Sequence, residues 1–573
     1  MKQQLESSLQ LAVEALLAEH GAEHDPAHAP KVLLTRPKIR EHGDYSCNIA
    51  MPLAGILGSK PRDIATRLLE LVQWPPSVNK TDIAGPGFIN IHLNETSEAS
   101  ILARIVAQGR EYGRVTDADG PSACVEFVSA NPTGPMHVGH GRGAVVGDAL
   151  ASVMAARGVR VSREYYINDA GAQIGKLTAS MWFRMRELSI AGFDEELPEG
   201  CYPGDYVVEG ARQILAEHDF AALEAMPEDE RDALLSSLSI DCMMAMIRDD
   251  LAALGIRFNT YFSERTLHDS GAVQGLIKQL RNDGKVYLGT LPPPMGKEVD
   301  DYVPVEQWLF RTTDYGDDVD RPLAKQDGTP TYFAADIAYH ADKHQRGFER
   351  MIDVWGADHG GYVSRVQAAM QALTGRKQQP EVVLVQMVNL TRDGKPVRMS
   401  KRAGTFVTLR EVVDEVGKDA VRFNFLTRRV ESQLDFDLET AKQKNDENPV
   451  YYVQYAHARV CAILRKAGEE GHVALPAAEV DVSPLTSEEE RRLVRDLLAW
   501  PEVLEQAASR LEPYRVATAL MQLAQGLHSF YHKHRVVVDD AATAQARMLL
   551  VIAVKQVLAN GLELLGVDSP DRM

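Results

Sequence analysis

Ser129-Ala130-Asn131-Pro132-Thr133-Gly134-Pro135-Met136-His137-Val138-Gly139-His140-Gly141-Arg142-Gly143 follows the strand-like run Cys124 to Ser129 and precedes an apolar helical segment, Ala144 to Met154. The chain therefore passes from strand through a Pro/Gly loop into helix. A strand-to-helix turn offers unpaired backbone N–H groups and the positive end of the helix dipole to a phosphate. His137 and His140, three residues apart, project from one side of that turn. Their imidazoles can donate hydrogen bonds to phosphate oxygens, and the glycines let a nucleotide approach the backbone. The spacing is not that of the dinucleotide-binding fingerprint, and a zinc reading of the two histidines lacks an obvious second pair of ligands in the sequence. The bland alternative is a Gly-rich turn with incidental histidines.

Working outward, short β-branched runs alternate with helical segments from about 120 to 410, including Val159 to Ile167, Met351 to Trp355 and Val382 to Val388. This alternation predicts parallel βαβ units and a Rossmann-like domain over 116–410. Residues 1–115 read as a small α+β domain, with an amphipathic helix through Leu9, Val13, Leu16 and Leu17 and a strand-like alternation from Phe88 to Leu93. A connecting segment spans 411–440, and 441–573 shows helical spacing only, as in Leu493, Leu497, Leu498 and in Leu549, Leu550, Ala553, Val554. The expected class is multidomain α/β with an all-α C-terminal domain.

Composition sets the outer limits. The chain has 573 residues, 62 Lys+Arg against 81 Asp+Glu, 45% apolar and 25% charged residues, which excludes disordered, collagen-like and membrane classes. Cys47, Cys124, Cys201, Cys242 and Cys461 are scattered, without the close spacing of zinc ribbons or redox pairs, and favour a reducing compartment. Met1 to Gln10 lacks the apolar core of a signal peptide, and the run Met548 to Val554, stopped by Lys555, is too short to span a bilayer. A cytoplasmic protein is expected. The net charge of −19 argues against nucleic acid until it is located: residues 187–250 hold seventeen acidic and three basic residues, a local net of −14, and the other 509 residues carry −5. That acidic stretch reads as the start of an insertion over about 187–290.

A second informative stretch runs from Thr391 to Gly404 and carries Lys395, Arg398, Lys401 and Arg402 within eight residues. Such a loop suits a mobile clamp on a polyphosphate, although a basic loop alone is usually just solvated. Together the two stretches resemble the paired signatures of class I aminoacyl-tRNA synthetases: His137-Val138-Gly139-His140 and Met399-Ser400-Lys401, their ends 261 residues apart. Arg398 stands where that class usually has a lysine, and a guanidinium is not an ammonium. The resemblance narrows to the arginyl-tRNA synthetases through Tyr165 to Gly171, Trp355 to His359, Asp419 to Arg422, Val453 to Arg459, the N-terminal Gly85 to Leu93 and the closing Gly561 to Met573.

The resemblance implies ATP-dependent ligation of L-arginine to tRNA(Arg) through an arginyl-adenylate, with Mg²⁺ carried on ATP and no metal held by the protein. It implies ATP-binding roles for Pro132, Gly134, His137, Gly139, His140, Gly141, Met399, Ser400 and Lys401, with His137, His140 and Lys401 catalytic. A planar guanidinium must exchange its hydration for fixed acceptors, ideally carboxylates. By resemblance Asp336 meets the guanidinium with Tyr332 assisting, Glu126 and Asn131 hold the amino acid's polar groups, and Asp358 or His359 contributes. The N-terminal domain would contact tRNA and the helical domain would read the anticodon. There Tyr451, Tyr452, Tyr455, His457 and Arg459 mix stacking surfaces with a cation, Tyr452, Tyr455 and Arg459 being the foremost candidates. His340 and His344, one turn apart, read as a solvated face. A monomer is implied. A synthetase for glutamate or glutamine, a small-molecule nucleotidyltransferase and a tRNA-binding module without catalysis are the competing readings. The N-terminal domain, the helical C-terminal domain and the intact signatures argue against each in turn.

Overall fold

The computed structural model describes residues 2–21, 30–37, 42–117, 119–291, 304–377, 379–397 and 407–573. The chain divides into two compact units: Met1–Gly109 with Ala467–Leu498 and His534–Ala553, and Arg110–Lys466 with Ala499–Lys533 and Val554–Met573.

In the first unit α1 (Lys2–Glu19) is followed by β1 (Tyr45–Cys47), α2 (Ala50–Leu57), α3 (Pro61–Leu71), β2 (Val78–Ala84), β3 (Phe88–Leu93) and α4 (Glu95–Gln108). Alternation in β3 turns Ile89 and Ile91 into a core shared with Leu9, Val13, Leu16 and Leu17 of α1. The strands form an antiparallel sheet in the order β1-β3-β2. Pro61 opens α3 at the position where a missing N–H costs nothing.

The second unit begins with β4 (Ser122–Glu126), α5 (Val138–Ala156), β5 (Arg160–Ile167) and α6 (Ala172–Ser189). The acidic stretch then forms α7 (Asp205–Glu217), α8 (Phe220–Glu224) and α9 (Glu228–Ala253). These helices bury Val207, Ile214, Leu235 and Met243 against Leu177 and Met181 of α6, so the acidic residues coat a small core of its own. After β6 (Thr260–Ser263), α10 (Glu264–Asp269) and α11 (Ala272–Asn282), the strands β7 (Val286–Gly289), β8 (Gln307–Phe310) and β9 (Arg321–Lys325) make an antiparallel sheet. The chain returns through α12 (Tyr332–Gln345), β10 (Arg350–Gly356), α13 (Val363–Thr374) and β11 (Glu381–Val385).

Five strands form a wholly parallel sheet in the order β11-β10-β4-β5-β6. The chain winds away from central β4 in both directions, so the winding reverses between β4 and β10. In doubly wound sheets ligands bind at the carboxyl ends of the strands at that reversal.

The run Val382 to Val388 is not one strand, as its apolar character suggests. The chain leaves the parallel ladder after Val385, because the Gln386 N–H turns to the Val430 carbonyl at 2.8 Å. It restarts as β12 (Val388–Arg392), which pairs with β13 (Lys395–Pro396) in a separate small sheet. Next come α14 (Leu409–Val416), α15 (Lys418–Phe425), β14 (Leu434–Asp437), completing that sheet, and α16 (Leu438–Lys442). The remaining elements are the long helices α17 (Pro449–Glu469), α18 (Glu488–Ser509), α19 (Tyr514–Lys533) and α20 (Ala541–Leu564). Helix α20 is longer than the apolar run Met548 to Val554 indicates: its 24 residues are long and apolar enough to cross a membrane by length and composition, but 56% of the apolar window is buried inside the protein. Burial of that kind is typical of a core helix.

Candidate active site

Between β4 and α5 the backbone is strained. Val128 and Ser129 have φ of 70° and 39°, a left-handed conformation that costs a non-glycine residue on the order of 1–3 kcal/mol. Local bonds hold it: Ser129 Oγ donates to Glu126 at 2.9 Å and accepts from the Tyr166 N–H at 3.1 Å, and the Tyr165 hydroxyl donates to the Ala130 carbonyl at 2.7 Å. His137 then caps α5. Its Nδ1 accepts from the Gly139 N–H at 3.1 Å, and His140 Nδ1 accepts from the His137 N–H at 3.4 Å. The two rings stack 3.7 Å apart. Since each Nδ1 accepts, the neutral rings carry their protons on Nε2, the donor that a phosphate oxygen requires.

The first signature is also tied to the chain that follows the second. His137 bridges Thr408, and the Leu409 N–H donates to the Met136 carbonyl at 2.8 Å. Asp250 of α9 accepts from the Met136 N–H at 3.3 Å, and burial pushes its carboxyl up to about 6. A Cβ on Gly141 would lie 2.7 Å from Leu409, so this glycine allows α5 to approach α14 closely. Pro132 is buried beside the turn. Gly134 is equally constrained, since a Cβ there would meet the Tyr206 ring at 2.9 Å. Arg398, Met399, Ser400, Lys401 and Arg402 lie outside the described residues.

A cavity of about 260 Å³ opens at the β4/β10 reversal, lined among others by Glu126, Ser129, Tyr166, Asp336, His359 and Tyr362. Asp336 is half-buried on α12. Burial pushes its carboxyl up to about 6, against the hydrogen bond donated by the Tyr362 hydroxyl. Tyr332, expected to assist it, is 67% exposed at the first residue of α12. Helical spacing puts Tyr332 and Asp336 on one face but does not fix depth, and the hydroxyl that reaches the carboxylate comes from Tyr362 instead. Asn131 is exposed and donates to Gln173 at 2.9 Å. Asp358 is exposed, and His359, also exposed, is at the cavity edge.

Behind the cavity, Glu164, Glu126 and Asp353 are register partners on β5, β4 and β10. Helix α12 meets this row. Lys343 Nζ, fully buried, donates to Glu126 at 2.6 Å and to Asp353 at 2.9 Å. His340 donates from Nε2 to Asp353 and from Nδ1 to the Asp336 carbonyl, both at 2.7 Å. Arg346, which caps α12, grips Glu164 with two bonds of 2.6 and 2.8 Å, and the Tyr339 hydroxyl donates to the same carboxylate. Burial opposes the charge on Asp353, yet Lys343 and His340 hold its carboxyl well below the usual range. Burial likewise opposes the charge on His340, but Asp353 raises its pKa. His340 is thus a buried, paired cation and not part of a solvated face. No alternation betrayed this row, but an Asp inside the apolar run Met351 to Trp355 and polar residues every third or fourth position along α12 were its available signals.

Two groups of described side chains are close enough together to hold a metal ion. In Glu126–His340–Asp353 the Lys343 ammonium already bonds both carboxylates. In His457–Cys461–Asp571 the His457 Nδ1 is engaged by the Pro570 carbonyl at 2.9 Å. Neither donor set fits a divalent cation.

On α17, Tyr451 and Tyr455 stack with centroids 5.8 Å apart, and Tyr452 and Tyr455 both meet the His528 ring of α19. Arg459 lies 4.2 Å over the Tyr531 ring. Tyr452, Tyr455 and Arg459 are half-buried, so each retains an accessible edge, whereas His457 is buried.

Comparison with known proteins gives three family matches: "Arginyl tRNA synthetase N terminal domain" over residues 2–93, "tRNA synthetases class I (R), catalytic domain" over 101–192 and "DALR anticodon binding domain" over 453–573. The arginine–tRNA ligase of Magnetococcus marinus is 49% identical over 100% of both chains. That of Azorhizobium caulinodans is 49% identical over 98% of this chain and 97% of its own. Among solved structures, Thermus thermophilus arginyl-tRNA synthetase matches with a TM-score of 0.74 at 22% identity, covering 100% of each chain.

Proposed function

The chain belongs to the arginyl-tRNA synthetases, class I enzymes that charge tRNA with arginine at the expense of ATP, and from this premise we propose that the cavity at the β4/β10 reversal is the arginine site. The observation that carries this reading is Asp336: a carboxylate whose charge burial disfavours, in a cavity sized for an amino acid, with a neutral hydroxyl as its hydrogen-bond donor. A guanidinium supplies the missing positive charge and two parallel donors. Glu126 takes the α-ammonium group, and His359 at the edge, with Asn131, Tyr332 and Asp358 further out, closes over the amino acid when ATP and tRNA are bound.

ATP lies along the His137–His140 turn with Pro132, Gly134, Gly139 and Gly141 beneath it. Arginine's carboxylate attacks the α-phosphate in line, pyrophosphate leaves, and a ribose hydroxyl of the terminal tRNA nucleotide then displaces AMP from the adenylate carbonyl. No side chain forms a covalent bond. The histidine Nε2–H groups and Lys401, with Met399 and Ser400, stabilise charge as it develops on the phosphates. Mg²⁺ arriving with ATP supplies further neutralisation, and no protein cage is assigned to it. Residues 1–115 contact tRNA, 116–410 catalyse with an acidic insertion over 187–290, 411–440 connect, and 441–573 read the anticodon through Tyr452, Tyr455 and Arg459. The protein acts as a cytoplasmic monomer, a location supported by its five free cysteines.

The test is arginine-dependent exchange of pyrophosphate into ATP, which should appear only when tRNA(Arg) is added. Exchange driven by a different amino acid would refute the assignment of the cavity.

A further inference from the structure

Three carboxylates on adjacent strands, roughly 5 Å apart across a sheet, repel one another strongly when buried. Glu164, Glu126 and Asp353 form such a row, and the groups facing them from α12 are Arg346, Lys343 and His340, with the Tyr339 ring 4.3 Å from Lys343 Nζ and the Cys124 thiol close by on β4. Three cations answer three acids. Lys343 differs from the other two because it is fully buried and touches both the acid that lines the cavity, Glu126, and the acid behind it, Asp353. Asp336, two turns earlier than Lys343 on the same helix, gives this row only its backbone carbonyl, which accepts from His340, and its side-chain donor is the neutral Tyr362.

We propose that Lys343 is a positioning residue for arginine: it holds the Glu126 carboxylate at the cavity wall for the substrate's α-ammonium group and neutralises the row, so that Asp336 is the acid left to meet the guanidinium. This rests on the reading of the cavity as the arginine site. An ammonium with three diverging donors suits two carboxylates on separate strands better than a planar guanidinium does. Charge on the cavity floor then sets selectivity, because with the row neutralised the acidic charge beside the cavity comes from Asp336 and from the buried Glu264 of α10 that acts on it, and so matches a cationic side chain. Removing the ammonium leaves the Glu126 carboxylate held on one oxygen only, by the Ser129 hydroxyl, and leaves two buried acids facing each other.

The experiment is steady-state charging of tRNA by Lys343→Met, Glu164→Gln with Lys343→Met, and Asp336→Asn, with KM measured separately for arginine and ATP. Lys343→Met should raise arginine's KM about tenfold or more while ATP's KM stays within about twofold. The double variant removes one cation and one anion and leaves intact the Asp353 carboxylate that keeps His340 charged, so it keeps the row balanced without restoring the hold on Glu126, and its arginine KM should stay high. Should Lys343→Met fail to fold, the double variant is read in its place. An arginine KM near the parent value in either variant, recovery in the double variant, or a parallel rise for both substrates would overturn the proposal, leaving Lys343 a charge balancer. If Asp336→Asn also leaves arginine's KM unchanged, the arginine-site reading fails as well. If it raises that KM and the Lys343 variants do not, this inference fails alone.

Discussion

Asp336 carries the sharpest prediction at the scale of single residues. Its carboxyl titrates near 6 because burial disfavours the anion, and Tyr362, His340, Glu264 and Glu126 are the groups that act on it. Only the ionised form pairs with a guanidinium, so arginine's KM should rise as pH falls through about 6. In the arginine-free protein the folded-state pKa is above the unfolded value, so the protonated acid stabilises the fold below about 4 and that contribution is lost as pH rises through 6. Asp336→Asn should therefore raise arginine's KM by about a hundredfold, and should stabilise the arginine-free protein at pH 7.5 by roughly 1–3 kcal/mol. Lys401→Ala should do the reverse in kinetics, slowing adenylate formation with little change in arginine's KM. Urea unfolding and exchange kinetics across pH 5–8 separate these effects. Asp336 and Glu126 were legible by resemblance to a family segment. Tyr362, Lys343 and Asp353 were not, because each acts through a contact between segments distant in sequence, which no local spacing reports.

Helix α5 shows what an element contributes. Besides carrying His137 and His140 at its start, it buries Arg142, whose guanidinium donates to the carbonyls of Gln386, Ser432 and Arg429 at 3.0, 2.7 and 2.9 Å. These carbonyls belong to the break between β11 and β12 and to the segment entering β14, the frame from which the second signature springs. Arg142→Met would take a donor from the Gln386 and Ser432 carbonyls, while the Arg429 carbonyl keeps the Ser432 N–H, and should destabilise the protein by about 2–4 kcal/mol in urea unfolding, with kcat falling more than arginine's KM rises. A loss under about 1 kcal/mol would show that water replaces the guanidinium at no cost. The parallel strands β4, β5, β10 and β11 were legible from periodicity, and the amphipathic α1 and alternating β3 equally so, whereas the short β6 and the antiparallel β7, β8 and β9 were not. The end of β11 was missed since Gln386 leaves the ladder through a hydrogen bond to Val430, a partner that hydrophobic pattern cannot name.

At the scale of the molecule, the net charge of −19 is resolved by location. The acids of 187–250 cover a core of their own on α7 to α9, and Glu228, Asp229, Glu230 and Asp232 are exposed there. RNA binding depends on cations near phosphates, and each phosphate contact adds to the salt dependence of affinity. Carboxylates beyond about one Debye length, roughly 10 Å at 0.1 M salt, have little influence on those contacts. If this acidic face is directed away from tRNA, as expected for an acidic surface, changing all four residues to their amides should leave tRNA's KM within about twofold and its salt slope unchanged. Arg459→Ala, by contrast, should weaken tRNA binding and, if the guanidinium meets a phosphate, lower the salt slope by about one. A lower KM for tRNA after the four amide changes would place the acidic face against the RNA backbone.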